Sequence, residues 1–190
     1  MRVVRGLRLP AFTTVFVLAG CATLGATTLR RMSLDELTSV SQTIARVRCM
    51  ESESRLAGGQ IWTWTRFEVI ELLKGQAPAQ ITVRLIGGRA GRITATVDGV
   101  PRFRQGENVI LFLEMTRAGD WTIVSWVQGT FRVRLETPSG AESVSQDSSG
   151  LAIFDPATRQ FLPGGVRRLP LAEFRSRVRD AIERSVRGRR

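Results

Sequence analysis

The stretch IWTWTRFEVIELL, residues 61–73, decides the fold class. It is rich in β-branched and aromatic residues, which suit a pleated, half-buried strand. Side chains alternate across a strand with period two. Trp62, Trp64 and Arg66 therefore share one face, and Thr63, Thr65, Phe67 and Val69 share the other. Gly58-Gly59 and Lys74-Gly75 mark the turns at its two ends. The pattern predicts a long strand with an apolar inner side and an indole-and-guanidinium outer side.

Working outward from this strand, most signals are also β. Residues 43–50 alternate Ile44, Arg46 and Arg48 against Ala45, Val47 and Cys49. Residues 80–86 follow as a third strand, and 93–97 with 100–103 read as a hairpin around Asp98-Gly99. Residues 108–115 (NVILFLEM) are nearly all apolar, so both faces of that strand should be covered. Residues 121–127 and 130–134 are the last expected barrel strands, with a bulge at Gly129. Residues 137–150 hold five serines and read as a flexible loop. Residues 151–154 and 160–162 are expected to pair across Asp155-Pro156.

Two helices complete the reading. Ser33 and Glu36 have the spacing of a capping box, opening a short helix with Leu34, Leu37 and Val40. Pro170 starts a terminal helix whose Leu171, Phe174, Val178, Ala181 and Ile182 fall on one face. That face is expected to pack near Leu111 and Leu113. The expected fold is mainly β: a small, OB-like, partly open barrel with a short N-terminal helix and a covering C-terminal helix.

Composition narrows the chemistry. The chain has 190 residues, no histidine, no tyrosine and two cysteines. Without histidine there is no Ser-His-Asp or Cys-His hydrolase and no histidine-ligated metal. Two cysteines cannot form a four-thiolate zinc site or a disulfide scaffold. Lys74 is the sole lysine, so the formal charge of +11 is an arginine charge. It is open to two readings: a general compositional bias, or a basic surface for anionic partners. No cofactor is expected.

The N-terminus speaks to location. Arg2, Arg5 and Arg8 precede a mostly apolar run over residues 9–20, too short to span a bilayer and long enough for a signal peptide. The run ends Leu18-Ala19-Gly20-Cys21, which resembles the bacterial lipobox. The resemblance implies a lipid on the Cys21 thiol, cleavage before Cys21, and an exported chain held on a membrane of the cell envelope. With Ala22 next, it implies the outer membrane in a Gram-negative cell. Ordinary secretion after a cut near Ala26 is the competing reading, with the bulky Leu24 set against it. The organisation is then a signal peptide (1–20), a tether (21–32), the barrel domain (33–136), the Ser-rich loop (137–150), and a hairpin plus basic helix (151–190). Cys49 is left as a lone thiol, expected to be a small buried hydrophobe.

Three groups of residues over 44–126 carry a family likeness. They are Phe67-Glu68-Val69 with Leu72-Leu73-Lys74-Gly75, then Gly106-Glu107-Asn108-Val109-Ile110-Leu111, and Gly119-Asp120-Trp121. This part resembles the netrin-like module of tissue inhibitors of metalloproteinases, which implies an OB-type barrel. Inhibition itself is not implied, because Ala22-Thr23 stands where those inhibitors place their second cysteine. Residues 28–34 and 101–107 are similar to a group of uncharacterised exported bacterial proteins.

The candidate binding residues are Trp62, Trp64 and Arg66, since indole and guanidinium suit stacking on sugars, bases or a protein. Packing of the tryptophans under the N-terminal helix or the Ser-rich loop is the competing reading. The arginines at 175, 177, 179, 184, 187, 189 and 190 suit anionic lipid or polysaccharide, or a plain solvated face. Gly87-Gly88-Arg89-Ala90-Gly91 reads as a turn, not a phosphate loop. The leading expectation is a non-catalytic envelope module for a protein or polysaccharide. The alternatives are a nucleic-acid-binding OB-type domain and a hydrolase using carboxylates such as Glu68 and Glu71.

The lipid anchor is directly testable. Cys21→Ser should lose lipid labelling and either stay unprocessed or leave the membrane fraction. Labelling that persists in the variant rejects the anchor.

Overall fold

The computed structural model describes residues 30–148, 152–155, 158–163 and 165–188. The expected signal peptide with Leu18-Ala19-Gly20, Cys21 and most of the expected tether lie outside these residues. So do Arg189 and Arg190.

The chain is mainly β, with one short N-terminal and one longer C-terminal helix. In order the elements are α1 (Leu34–Val40), β1 (Thr43–Ala57), β2 (Gln60–Lys74), β3 (Gln80–Ile86), β4 (Gly88–Ala90), β5 (Ile93–Ala95), β6 (Asn108–Met115) and β7 (Trp121–Ile123). A 3-10 turn (Trp126–Gly129) leads to β8 (Thr130–Glu136), β9 (Ala141–Gln146), β10 (Ala152–Asp155), β11 (Gln160–Pro163), β12 (Leu169–Pro170) and α2 (Leu171–Arg187). The large sheet runs β1-β2-β3-β7-β6-β8-β9-β12, and β1 also pairs with β6. The five strands β1, β2, β3, β7 and β6 therefore form a circuit, and the sheet is partly closed. Every pairing in that circuit is antiparallel except β3 with β7.

β6 is buried on both faces, as its apolar run predicts. Val109, Leu111 and Leu113 point into the circuit against Phe67, Val83 and Ile123. Ile110 and Phe112 point the other way, against Phe131, Leu171, Phe174 and Val178. The helix therefore packs on Ile110 and Phe112, and the expected contact with Leu111 and Leu113 is corrected by one residue. The cause is strand alternation: the two leucines are already committed to the inside. Ring centres of Phe112 and Phe131 lie 5.2 Å apart, and those of Phe131 and Phe174 lie 4.8 Å apart. This chain of phenylalanines joins helix to sheet.

The capping box is formed: the Ser33 hydroxyl accepts from the Glu36 N–H at 3.1 Å, and Glu36 Oε2 accepts from the Ser33 N–H at 2.7 Å. The Ser33 amide bond holds the Glu36 carboxyl below its ordinary range. The end of the expected tether is also fixed, since Met32 N–H donates to Gln128 Oε1 at 2.8 Å.

Other expectations are corrected. β1 runs on to Ala57, seven residues past the expected end, because it forms a hairpin with β2 through Gly58-Gly59. The hairpin expected over 93–103 does not form; β5 pairs with β4 instead. The expected strand 121–127 stops at Ile123, since Ser125 and Trp126 take φ of 50° and 51°, outside the strand region. Gly129 is no bulge. A Cβ there would meet the Val124 carbonyl oxygen at 2.2 Å, so glycine is required by close approach. The Ser-rich segment contains β9, paired with β8, where Val144 enters the core and the Ser143 hydroxyl meets the Glu136 carboxylate.

Phe174 is fully buried. Phe174→Ala should destabilise the fold by about 3–5 kcal/mol, read by urea unfolding. A loss below about 1 kcal/mol would mean that α2 is not docked on the sheet in solution.

Candidate functional site

The long β1–β2 hairpin and the neighbouring β3 build the outer face that holds the candidate residues. The Cα partners run Arg55–Trp62–Ile86, Glu53–Trp64–Arg84 and Glu51–Arg66–Thr82. Ile61, Thr65 and Phe67 are buried on the inner side, so Trp62, Trp64 and Arg66 do share the outer face.

Trp62 and Trp64 are half-buried and belong to neither core cluster. What shields them is not α1 or the Ser-rich segment. α1 lies on α2 and β6, and β9 lies between β8 and β12. The covering groups are two arginines reaching across the strands. The Arg55 guanidinium lies 4.1 Å from the Trp64 ring centre, and that of Arg84 lies 4.3 Å from the Trp62 ring centre. Each arginine stands opposite one tryptophan and leans diagonally over the other, so the four side chains interlock. Such cation–π contacts contribute about 0.5–1 kcal/mol each at exposed sites.

Carboxylates complete the face. Arg84 donates to Asp120 at 2.6 Å, Arg66 meets Glu51 at 2.7 Å, and Arg48 meets Glu68 at 3.4 Å. Arg48, Arg66 and Arg84 are thus balanced by acids, while Arg55 is held on Trp64, and the surface is aromatic and mixed in charge. Arg55 and Arg84 are the residues that sequence reasoning missed. The signal for Arg55 was present, because counting outward from the Gly58-Gly59 turn places it opposite Trp62.

Other sequence candidates resolve differently. Glu68 and Glu71 each hold an arginine, Arg48 and Arg175 respectively. On α2, Arg177 pairs with Glu173, Arg184 with Asp35 and Arg187 with Glu183. Cys49 is buried, and burial pushes its thiol up, so the nucleophilic thiolate is disfavoured. Gly88–Ala90 is a short strand, not a phosphate cradle. Among the described residues no group of three acidic, cysteine or histidine side chains is placed to hold a metal, and no helix is long and apolar enough to cross a membrane.

No protein-family model matches the chain, and no curated protein matches it either.

The interlocked cap gives a prediction. Arg84→Ala should uncover Trp62, shift tryptophan emission to longer wavelength, and cost about 1 kcal/mol in urea unfolding. An unchanged emission maximum would mean that Arg84 does not sit on the indole in solution.

Proposed function

We propose that the chain is a non-catalytic binding module of the cell envelope, exported and held to a membrane through Cys21. Its recognition surface is the outer face of β1, β2 and β3, and its partner is an envelope protein or polysaccharide. The observation that carries this reading is the ladder of Arg55, Trp64, Trp62 and Arg84. Two indoles sit on a sheet face outside both cores, held rigid by guanidiniums. Rigid tryptophan and arginine side chains are the groups most enriched among interface hot spots. They lose little conformational freedom on binding when they are already fixed.

The same ladder weighs against the nucleic-acid alternative. Phosphate recognition needs free cationic groups, and here Arg48, Arg66 and Arg84 already hold carboxylates. The hydrolase alternative loses its support in the same way, since Glu68 and Glu71 are engaged by arginines. The circuit β1-β2-β3-β7-β6 supports reading the sheet as an OB-type barrel, in keeping with the netrin-like resemblance.

The test is a paired measurement on Trp62→Ala, Trp64→Ala in the full chain. Capture of envelope proteins and glycans from the host's own solubilised envelope should fall more than tenfold, a loss of at least about 1.4 kcal/mol. The melting temperature should change little. Equal capture by the double variant, or a collapse of its stability, returns the tryptophans to a purely structural role.

A further inference from the structure

Behind the tryptophans, on the inner side of the same hairpin, four hydroxyls form a ladder. Ser52 and Thr65 face each other at 2.9 Å, and Ser54 and Thr63 at 2.8 Å. They form one wall of a pocket of about 160 Å³. The rest of the lining is largely apolar: Leu85, on β3, stands beside Thr63, and Val97, Val100 and Phe103 come from the segment after β5. Phe103 is fixed by an edge-on contact with Phe67, ring centres 5.0 Å apart, and by the Arg132 guanidinium 5.7 Å from its ring centre, so its remaining rim is what it offers to the pocket. Arg102 lines the rim, exposed to solvent.

The hydrogen bonds of the ladder define what it can hold. Thr63 Oγ1 donates to the Gly87 carbonyl at 2.6 Å, so in the Ser54–Thr63 pair Ser54 is the donor. One hydrogen of the Ser52–Thr65 pair is spent between its two oxygens. Each hydroxyl has one hydrogen and two lone pairs, so the wall is short of donors and rich in acceptors. On the ladder itself a carboxylate or phosphate, which only accepts, finds few partners; Arg102 at the rim is the one cationic donor of the lining, and the anionic arm of the titration tests its pull. A ligand carrying hydroxyl or amide hydrogens finds several.

We propose that this pocket binds a single neutral sugar ring, its hydroxyl edge on the ladder and its C–H face on Phe103, Val97 and Val100. A cavity of about 150 Å³ admits a benzene-sized ring, so this pocket takes the inserted edge of the sugar, and the open mouth leaves the remaining substituents outside. The lining holds no carboxylate, amine or thiol, so it binds without proton transfer. This site is separate from the outer face and does not depend on it.

The full chain is titrated with methyl β-glucoside, methyl N-acetylglucosaminide and, as the anionic arm, glucuronate, following backbone amide shifts by NMR. A neutral glycoside should shift the amides of Ser54, Thr63 and Val100 saturably, in the millimolar range, and bind more tightly than glucuronate. Thr63→Val should weaken it about tenfold. Ser52→Phe, at the exposed rim, should block the mouth; amide shifts away from the pocket that match the parent chain show that the variant folds despite losing the bond to Thr65. Trp62→Ala, Trp64→Ala should leave sugar affinity unchanged, which keeps this result distinct from loss of partner capture. A β-linked trisaccharide that binds more tightly than the monosaccharide points to a glycan end; equal affinity points to a free sugar. No saturable shift with either neutral glycoside, tighter binding of glucuronate, undiminished binding in Ser52→Phe, or loss of binding in the tryptophan variant overturns the proposal.

Discussion

Alternate side chains of β6 serve two different cores, and the architecture depends on that division. Val109, Leu111 and Leu113 fill the inside of the strand circuit, while Ile110 and Phe112 meet α2 and β8. An apolar strand with one face left in water would present an adhesive surface. The circuit hides one face, and the helix hides the other. β6 also pairs with β1, β7 and β8, so it closes the circuit and starts the outer extension of the sheet. The Phe112–Phe131–Phe174 contacts then carry the packing from strand to helix, and burial of such rings dominates core energetics.

The arginines are deployed as ties between elements more than as a charged patch. Arg46 on β1 grips Glu142 on β9, with one contact at 2.9 Å. Arg132 on β8 joins Glu107 and Asp147, and Arg184 on α2 reaches Asp35 on α1. Exposed pairs of this kind contribute little individually. The partly shielded ones, at Arg46 and Arg132, do more to fix relative position. Arg46 holds the Glu142 carboxyl below its ordinary range. A carboxylate depressed in the folded state adds stability that is present above its unfolded pKa and is lost as the pH falls through the folded value. The sheet's tie between β1 and β9 is therefore an acid-sensitive one. A net charge of +11 coexists with surfaces that are locally neutral, which is why charge alone is a poor guide to the ligand.

How much was legible in the sequence follows from how local each signal is. β3 and β6 were read with their observed limits, because period and apolarity lie wholly within each segment. The capping box and the buried stripe of α2 were legible for the same reason. What failed depended on partners outside the segment being read. The β4–β5 pairing displaced a hairpin that Asp98-Gly99 made plausible locally, and β9 formed from serines because β8 was there to pair with it. The register of α2 on β6 was off by one residue, since nothing in the helix says which face of the strand is already occupied. For the candidate site, the common face of Trp62, Trp64 and Arg66 was legible, but the Arg84 cap was not, because it arrives from β3.

The hydroxyl ladder sits between these cases. Gly58 and Gly59 take φ of 58° and 77°, both positive as a two-residue primed turn requires. Such a turn fixes the register outward along the hairpin, placing Ser54 opposite Thr63 and Ser52 opposite Thr65. A bulge between Cys49 and Glu51 then lets Cys49 and Ser52 both face inward, so the lining passes from hydroxyls at the mouth to an apolar floor. The same register puts Arg55 and Trp62, Glu53 and Trp64, on the other side. One turn and a period of two thus give the hairpin two surfaces of opposite chemistry: an acceptor-rich interior and an aromatic, charge-balanced exterior. A backbone layer separates them. Substitutions on one side leave the side chains of the other untouched, and that independence is what makes the roles of the two surfaces separable by experiment.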